Sequence, residues 1–249
     1  MEYNQTNKIW PSVNRVIERM LGRRNELCDA YEELHESLAQ RPHALKSFFD
    51  ILTSTPVAWS PEKITEARQA RKELTGINAQ IAAAAVALAQ LLTRRDEIKE
   101  GSSFSCDTFY HPLDVLNAAA EHENHHLFES YVKDGLETLQ YQYDLKYWPS
   151  LSSLVEAIGE DAENAEVYAQ DPATDSATEG RRPGLSDFLK AFFIRLKENS
   201  VREHGFIPNN LSVSDNTVAS LVNCALDLNA DKLIDGDFVK RFRQRERER

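Results

Sequence analysis

The residues whose types and spacing could support chemistry form one short segment, His122-Glu123-Asn124-His125-His126, which has the pattern HExxH. On an α-helix, residues i and i+4 lie on one face, so the imidazoles of His122 and His126 could bind one zinc ion. Glu123 would then serve as the base that activates a zinc-bound water. The spacing therefore identifies a candidate metal site.

The residues around this segment favour a different interpretation. An apolar stripe places His122 and His126 on the polar side of the predicted helix, and it consists of Leu113, Leu116, Ala120, Leu127 and Tyr131. No single third ligand stands out among Glu129, Glu137, Glu156 and Glu160. We expect solvent-exposed histidines and no metal or other cofactor. The five residues resemble the zincin motif, and that resemblance implies a zinc-dependent hydrolase as the alternative function.

Glycine placement excludes several nucleotide-dependent activities. Only Gly180 and Gly184 of the nine glycines lie close together, so the chain contains no GxGxxG, Walker A or GxSxG motif. His35, His43, His111 and His204 are isolated along the chain. We therefore expect that the protein is not an enzyme.

The net charge of −11 is unevenly distributed along the chain. Residues 101–200 hold 7 basic and 18 acidic groups, whereas the two flanking regions are balanced. This distribution excludes a uniformly basic nucleic-acid binder. The C-terminal segment is the exception, because its basic side chains could contact an acidic partner or phosphates. These are Lys240, Arg241, Arg243, Arg245, Arg247 and Arg249. An accessory protein of a nucleic-acid-acting complex is thus a second alternative.

Residues 213–223 read Val-Ser-Asp-Asn-Thr-Val-Ala-Ser-Leu-Val-Asn. They resemble the recognition-helix segment of LacI-type helix-turn-helix repressors, in which the first turn of this helix enters the major groove. No Lys or Arg lies between Gly205 and Ala230 to hold phosphate. We expect instead an amphipathic helix capped at its N-terminus, with its apolar side chains directed inward. These are Val218, Leu221, Val222, Ala225 and Leu226.

The chain is predicted to be helical throughout. Mostly apolar residues from Val13 to Leu38, with the charged Arg24 among them, alternate three and four positions apart, which is typical of a coiled-coil seam. A short amphipathic piece follows Pro42, and residues 53–59 are predicted to form a turn. Ser60-Pro61-Glu62 is a strong helix start. The helix that follows could run to Glu100.

The second helix carries a similar pattern of three and four. We predict its seam at Ile64, Ala67, Arg71, Leu74, Asn78, Ile81, Ala85, Leu88 and Leu92. Two long seam-bearing helices joined by a short element predict an antiparallel, coiled-coil-like hairpin.

The predicted fold is all-α, with four regions. A long helical hairpin covers residues 1–100, and an acidic helical region covers 101–170. A linker covers 171–184, where turn-forming residues are frequent. A helical C-terminal unit with a basic tail covers 185–249.

Composition also bears on the cellular setting. No apolar run approaches the length needed to cross a bilayer, and the polar N-terminus lacks the apolar core of a signal peptide. Cys28, Cys106 and Cys224 are odd in number and widely spaced, which fits a reducing cytoplasm. We expect a non-enzymatic subunit or adaptor of a larger cytosolic complex, with one or more protein partners and no membrane contact.

Overall fold

The computed structural model describes Thr6 and residues 10–123, 125–180 and 183–248. Across these residues the fold is all-α, as predicted, with twelve α-helices and no β-strand. The only β-type pairing among them is an isolated bridge between Ser200 and Ile207. The helices are α1 (Asn14–Gly22), α2 (Cys28–Leu38), α3 (Pro42–Trp59), α4 (Pro61–Gly101), α5 (Pro112–His122), α6 (His126–Tyr131), α7 (Lys133–Gln142), α8 (Leu151–Asn164), α9 (Pro172–Thr178), α10 (Leu185–Glu198), α11 (Asp215–Leu226) and α12 (Gly236–Arg247).

The chain divides into two compact units. Unit 1 contains residues 1–71 and 168–249, and unit 2 contains residues 72–167. The boundary falls inside α4, so the predicted hairpin region 1–100 is shared between the units. The predicted linker 171–184 is not a linker in the structure. It includes α9, whose Ala173 and Ala177 are buried in the core of unit 1.

The core of unit 1 is built from the apolar faces of α1, α2, α3, α10, α11 and α12, with α9 packed on α10. Phe48 of α3 and Phe192 of α10 meet edge to face at its centre, with ring centroids 6.0 Å apart. The inward-facing residues predicted for α11 are confirmed, because Val218, Leu221, Val222 and Ala225 are buried and Leu226 is partly buried against them.

The first long predicted helix is divided in the structure. Helix α1 ends at Gly22, and residues 23–27 form turns before α2 begins. The Tyr31 hydroxyl donates to the Met20 carbonyl across this break, at 3.2 Å. Both α1 and α2 pack on α11. The seam from Val13 to Leu38 therefore supplies core contacts from two helices and not one arm of a continuous hairpin.

Residues 53–59, predicted to be a turn, belong to α3 despite Pro56. Proline lacks the N–H that the helix would use at this position. Arg195 of α10 contacts the turn before Pro56, since its guanidinium donates to the side chains of Ser54 and Thr55 at 2.7 and 3.0 Å. The same group lies over the ring of Trp59, 4.9 Å from its centroid. Burial lowers the pKa of Arg195.

The predicted start of α4 is confirmed. The Ser60 hydroxyl accepts from the Lys63 amide at 3.3 Å, and Pro61 is the first helical residue. Unit 1 holds this end through Ile64, which is buried in its core, and through Arg68. Arg68 forms an ion pair of 2.9 Å with the buried carboxylate of Asp187. The first two turns of α4 are thus fixed in unit 1.

Unit 2 contains the rest of α4 together with α5–α8. Helix α8 approaches α4 at Gly159, where an added Cβ would lie 2.8 Å from the Cβ of Ala85. Ala85 and Ala89 are the buried positions of this part of α4. Small side chains let two helix backbones come close, which is how α8 packs on α4.

The net charge is distributed unequally between the two units. Unit 2 carries 6 Lys and Arg against 17 Asp and Glu, so its net charge is −11. Unit 1 carries 23 of each sign and is neutral. Unit 2 therefore holds the entire net charge, and it includes nearly all of the predicted acidic region 101–170 together with residues 72–100 of α4.

Candidate interaction surface on the long helix

Helix α4 exposes a line of large apolar side chains in unit 2. Eight positions at alternating spacings of three and four form this line, here called the α4 seam: Leu74, Ile77, Ile81, Ala84, Leu88, Leu91, Arg95 and Ile98. Its six leucines and isoleucines are 39 to 68% exposed. The seam spans about 36 Å along the helix. Isolated exposed leucines are ordinary, but an apolar row along one helix, here interrupted only by Arg95, is a candidate interaction site.

The exposed seam is distinct from the side of α4 that packs inside unit 2. At 100° per residue, it lies roughly 100° around the helix from the stripe that includes Ala85 and Ala89. Helix α4 therefore has one flank covered by its own unit and an adjacent flank that is uncovered within it.

The predicted seam of α4 overlaps the exposed one only in part. Leu74, Ile81 and Leu88 belong to both. Ala85 of the predicted seam is buried, and Ile77, Leu91 and Ile98 were outside the prediction. The same spacing of three and four could have identified them, since two parallel apolar rows run along this alanine-rich helix and only packing separates them.

Helix α4 also contains an 18-residue stretch that is long and apolar enough to cross a membrane by length and composition, and 11% of it is buried. The run between Glu73 and Arg94 has no charged residue, although no apolar run of this kind was expected from the sequence. It does include the carboxamides of Asn78, Gln80 and Gln90, which point to different sides of the helix.

The HExxH segment is not one helix in the structure. His122 is the last residue of α5, Glu123 follows it as the C-terminal cap, and His126 begins α6. His125 caps α6, with its Nδ1 accepting from the Phe128 amide at 3.1 Å. Asn124 lies outside the described residues. The i and i+4 geometry that places two imidazoles on one helix face is therefore missing.

The part of the chain that the structure describes contains no group of three or more His, Cys, Asp or Glu arranged to hold a metal ion. The alternative of a zinc-dependent hydrolase thus has no support from the local geometry and stays a prediction.

The basic C-terminal segment forms most of α12. Lys240, Arg241, Arg245 and Arg247 are exposed, and Arg249 lies outside the described residues. Arg243 differs from these, because its guanidinium donates to the Val213 carbonyl at 3.0 Å and to Asp215 at 2.7 Å. Arg243 was predicted to contact a partner or nucleic acid, and in the structure it joins α12 to the start of α11.

The first turn of α11 is also engaged within unit 1. Ser214 is its N-cap, with its hydroxyl accepting from the Thr217 amide at 3.2 Å, which confirms the predicted capped helix. The Glu33 carboxylate accepts from the Ser214 and Thr217 hydroxyls at 2.7 and 2.5 Å. The turn that would enter a DNA groove in LacI-type repressors is here hydrogen-bonded to Glu33 of α2 and to Arg243 of α12.

Comparisons with known proteins found no match to a family model, to a curated protein or to a solved structure.

Proposed function

We propose that this protein is a helical subunit or adaptor of a larger protein complex, and that the α4 seam is the surface that binds a partner. The observation that carries the proposal is the exposed row of six leucines and isoleucines on one flank of α4. Burying one such side chain contributes about 1.5–3 kcal/mol. A helix that covered the row would gain several such contributions.

The partner that fits this surface is an amphipathic helix with its own apolar row. Heptad spacing in α4 places its seam side chains opposite a matching row on a second helix, as in a coiled coil. The charge of −11 on unit 2 favours basic residues beside the apolar row of that partner, because complementary charge accelerates the encounter and excludes other partners.

A protein partner accounts for α4 better than a lipid bilayer does. An unpaired amide costs about 4–8 kcal/mol to transfer from water to hydrocarbon. The exposed Gln80 and Gln90 lie on flanks of α4 other than the one packed inside unit 2 and would meet lipid in a spanning helix, whereas a partner that covers the seam leaves them in water. The seam thus supports a protein interface.

The test uses the full-length tagged protein purified under mild conditions from the source cells, in three forms. Leu91→Glu places a carboxylate on the exposed seam, where it should not disturb the fold. Ala83→Glu places the same group at an exposed position of α4 outside the seam and serves as the matched control. We expect a stoichiometric partner with wild type and A83E, and at least a tenfold loss of that partner with L91E.

Two results would overturn the proposal. One is a wild-type protein that is recovered as a monomer with no stoichiometric partner. The other is an equal loss of the partner in L91E and A83E, which would mean that added charge and not the seam determines binding.

A further inference from the structure

Unit 1 contains a groove between α10, the segment 199–214 and α12. Two adjoining cavities of about 560 and 460 Å³ form this groove and share Phe193, Lys197, Leu211, Val213 and Arg243 among their lining residues. Each cavity has the volume of a typical ligand pocket, which is about 300–1,000 Å³. The groove therefore offers space for several side chains of a bound molecule.

The floor of the groove is apolar. Leu211 and Val213 line both cavities, and Phe193 lies between them. The ring of Phe193 stacks on Phe242 with centroids 5.8 Å apart and lies 5.0 Å from the Arg243 guanidinium carbon. Within unit 1, the ring of Phe193 thus already packs against Phe242 and Arg243.

The rim of the groove carries more basic than acidic side chains, although unit 1 as a whole is neutral. Its two acidic residues are Glu203 and Glu246. Lys197, Arg202 and Arg247 line it. The charged side chains of these three residues form no hydrogen bond or ion pair with the described parts of the chain. Lys190 and Arg243 also line it, and they pair with Glu179 and Asp215 at 2.6 and 2.7 Å. Three cations are therefore available to a bound anion.

We infer that this groove binds an acidic amphipathic peptide segment of a partner protein. Apolar side chains of the segment would occupy the two cavities, and its carboxylates would meet Lys197, Arg202 and Arg247. Charge complementarity carries the assignment, because a basic rim around an apolar floor matches alternating acidic and apolar side chains. This surface lies in unit 1 and is independent of the α4 seam in unit 2.

Single-stranded nucleic acid is a poorer match to the same groove. It binds through exposed aromatic platforms along a positively charged track. Here the one aromatic ring shared by both cavities is covered by Phe242 and Arg243.

The experiment measures fluorescence anisotropy of a short labelled helical peptide of glutamate and leucine, titrated with the full-length protein. A peptide with lysine in place of glutamate and an oligothymidylate of similar length are titrated in parallel. We expect binding of the acidic peptide that weakens as salt is added. The lysine peptide should not bind in the groove, so any binding of it should be lost in L91E and unchanged in K197E/R202E.

A pair of matched variants locates the site. The double variant K197E/R202E reverses two charges on the rim, and K240E/R241E reverses two exposed charges that do not line the groove. Both change the net charge equally. We expect at least a tenfold weaker affinity for K197E/R202E and less than a threefold change for K240E/R241E, while L91E binds as wild type.

Three outcomes would overturn the inference. These are no binding of the acidic peptide, equal weakening by both double variants, or tighter binding of the oligothymidylate than of the acidic peptide. Circular dichroism of each variant shows whether its helices are retained. This control distinguishes a loss of binding from a loss of folding.

Discussion

Glu33 and Arg19 bond to opposite ends of the same helix, α11. The Glu33 carboxylate accepts from the Ser214 hydroxyl at 2.7 Å at the N-terminus, and Arg19 donates to the Ala225 carbonyl at 2.8 Å at the C-terminus. Each charge has the sign that the helix dipole favours at that end. The N-terminal helices α1 and α2 thus each supply a hydrogen-bonding partner to one end of α11.

The first prediction concerns acid stability. Burial acts to raise the pKa of Glu33, but hydrogen bonds from Thr217 and Ser214 and the nearby Arg243 lower it overall. A lowered pKa stabilises the fold above the unfolded value of about 4.3. That contribution is lost as the pH falls from there through the folded pKa.

We therefore expect E33Q to reduce the unfolding free energy at neutral pH by about 1–2 kcal/mol. The difference from wild type should shrink below about pH 4.3. Urea unfolding across a pH series measures it. E36Q, which alters an exposed residue of the same helix, is the control. A difference that stays constant down to low pH would contradict the argument.

The second prediction concerns the other end of α11. Arg19 also forms an ion pair with Asp227 at 3.4 Å, and its side chain is only 18% exposed. We expect R19M to lower the unfolding free energy by about 2 kcal/mol, because hydrogen bonds to charged groups contribute about 1.5–3 kcal/mol.

Arg23 provides the comparison for R19M, since it contacts the same carboxylate at 3.2 Å from a more exposed position. R23M should cost no more than about 1 kcal/mol. Hydrogen exchange followed by mass spectrometry would show the opening of α11 directly. Equal costs for the two variants would argue against a role for the Arg19 contacts to the helix carbonyls.

The third prediction isolates the close approach of α8 to α4. Gly159 and Gly76 are both helical, and replacing either with alanine gains about 0.5–1 kcal/mol of helix propensity. At Gly76 an added Cβ meets nothing within 4 Å, whereas at Gly159 it lies 2.8 Å from the Ala85 Cβ. G76A should therefore stabilise unit 2.

G159A should destabilise unit 2 despite the same gain, because overpacking typically costs about 1–3 kcal/mol. Hydrogen exchange in α8 and in residues 72–101 measures the effect, and exchange in α11 of unit 1 should not change. If G159A and G76A stabilised unit 2 equally, the contact between α8 and α4 would be looser than the structure describes.

The fourth prediction concerns lipid. Because Asn78, Gln80 and Gln90 face different sides of α4, we expect the full-length protein not to co-float with phosphatidylcholine vesicles in a density gradient. The acidic unit 2 should also keep it from anionic vesicles. Flotation of the wild-type protein, abolished by L91E, would assign the seam to a membrane surface.

The sequence is informative where local chemistry determines the structure. The start of α4 at Ser60-Pro61-Glu62 and the inward face of α11 follow from capping and from helical periodicity, and both are confirmed. The all-α fold follows from the same periodicity. These features depend on residues within a few turns of one another.

The structure differs from the sequence-based predictions where contacts between residues far apart in the chain determine the local conformation. Residues 53–59 were predicted to be a turn, yet they continue α3 through Pro56 and pack against Arg195 of α10. The polar segment 171–184 has the composition of a linker, yet Ala173 and Ala177 fill space against α10. On α4 two apolar rows share one helix, and only the position of α8 determines which of them is buried.

The most direct measurement of the central claim is photo-crosslinking from α4 in the source cells. A photoreactive phenylalanine derivative at Leu91 lies on the seam, and the same group at Ala83 lies off it. We predict one discrete protein adduct from position 91 that is absent from position 83 and is lost when Leu88 is also replaced by Glu. Identical adducts from both positions, or adducts to lipid alone, would contradict the account.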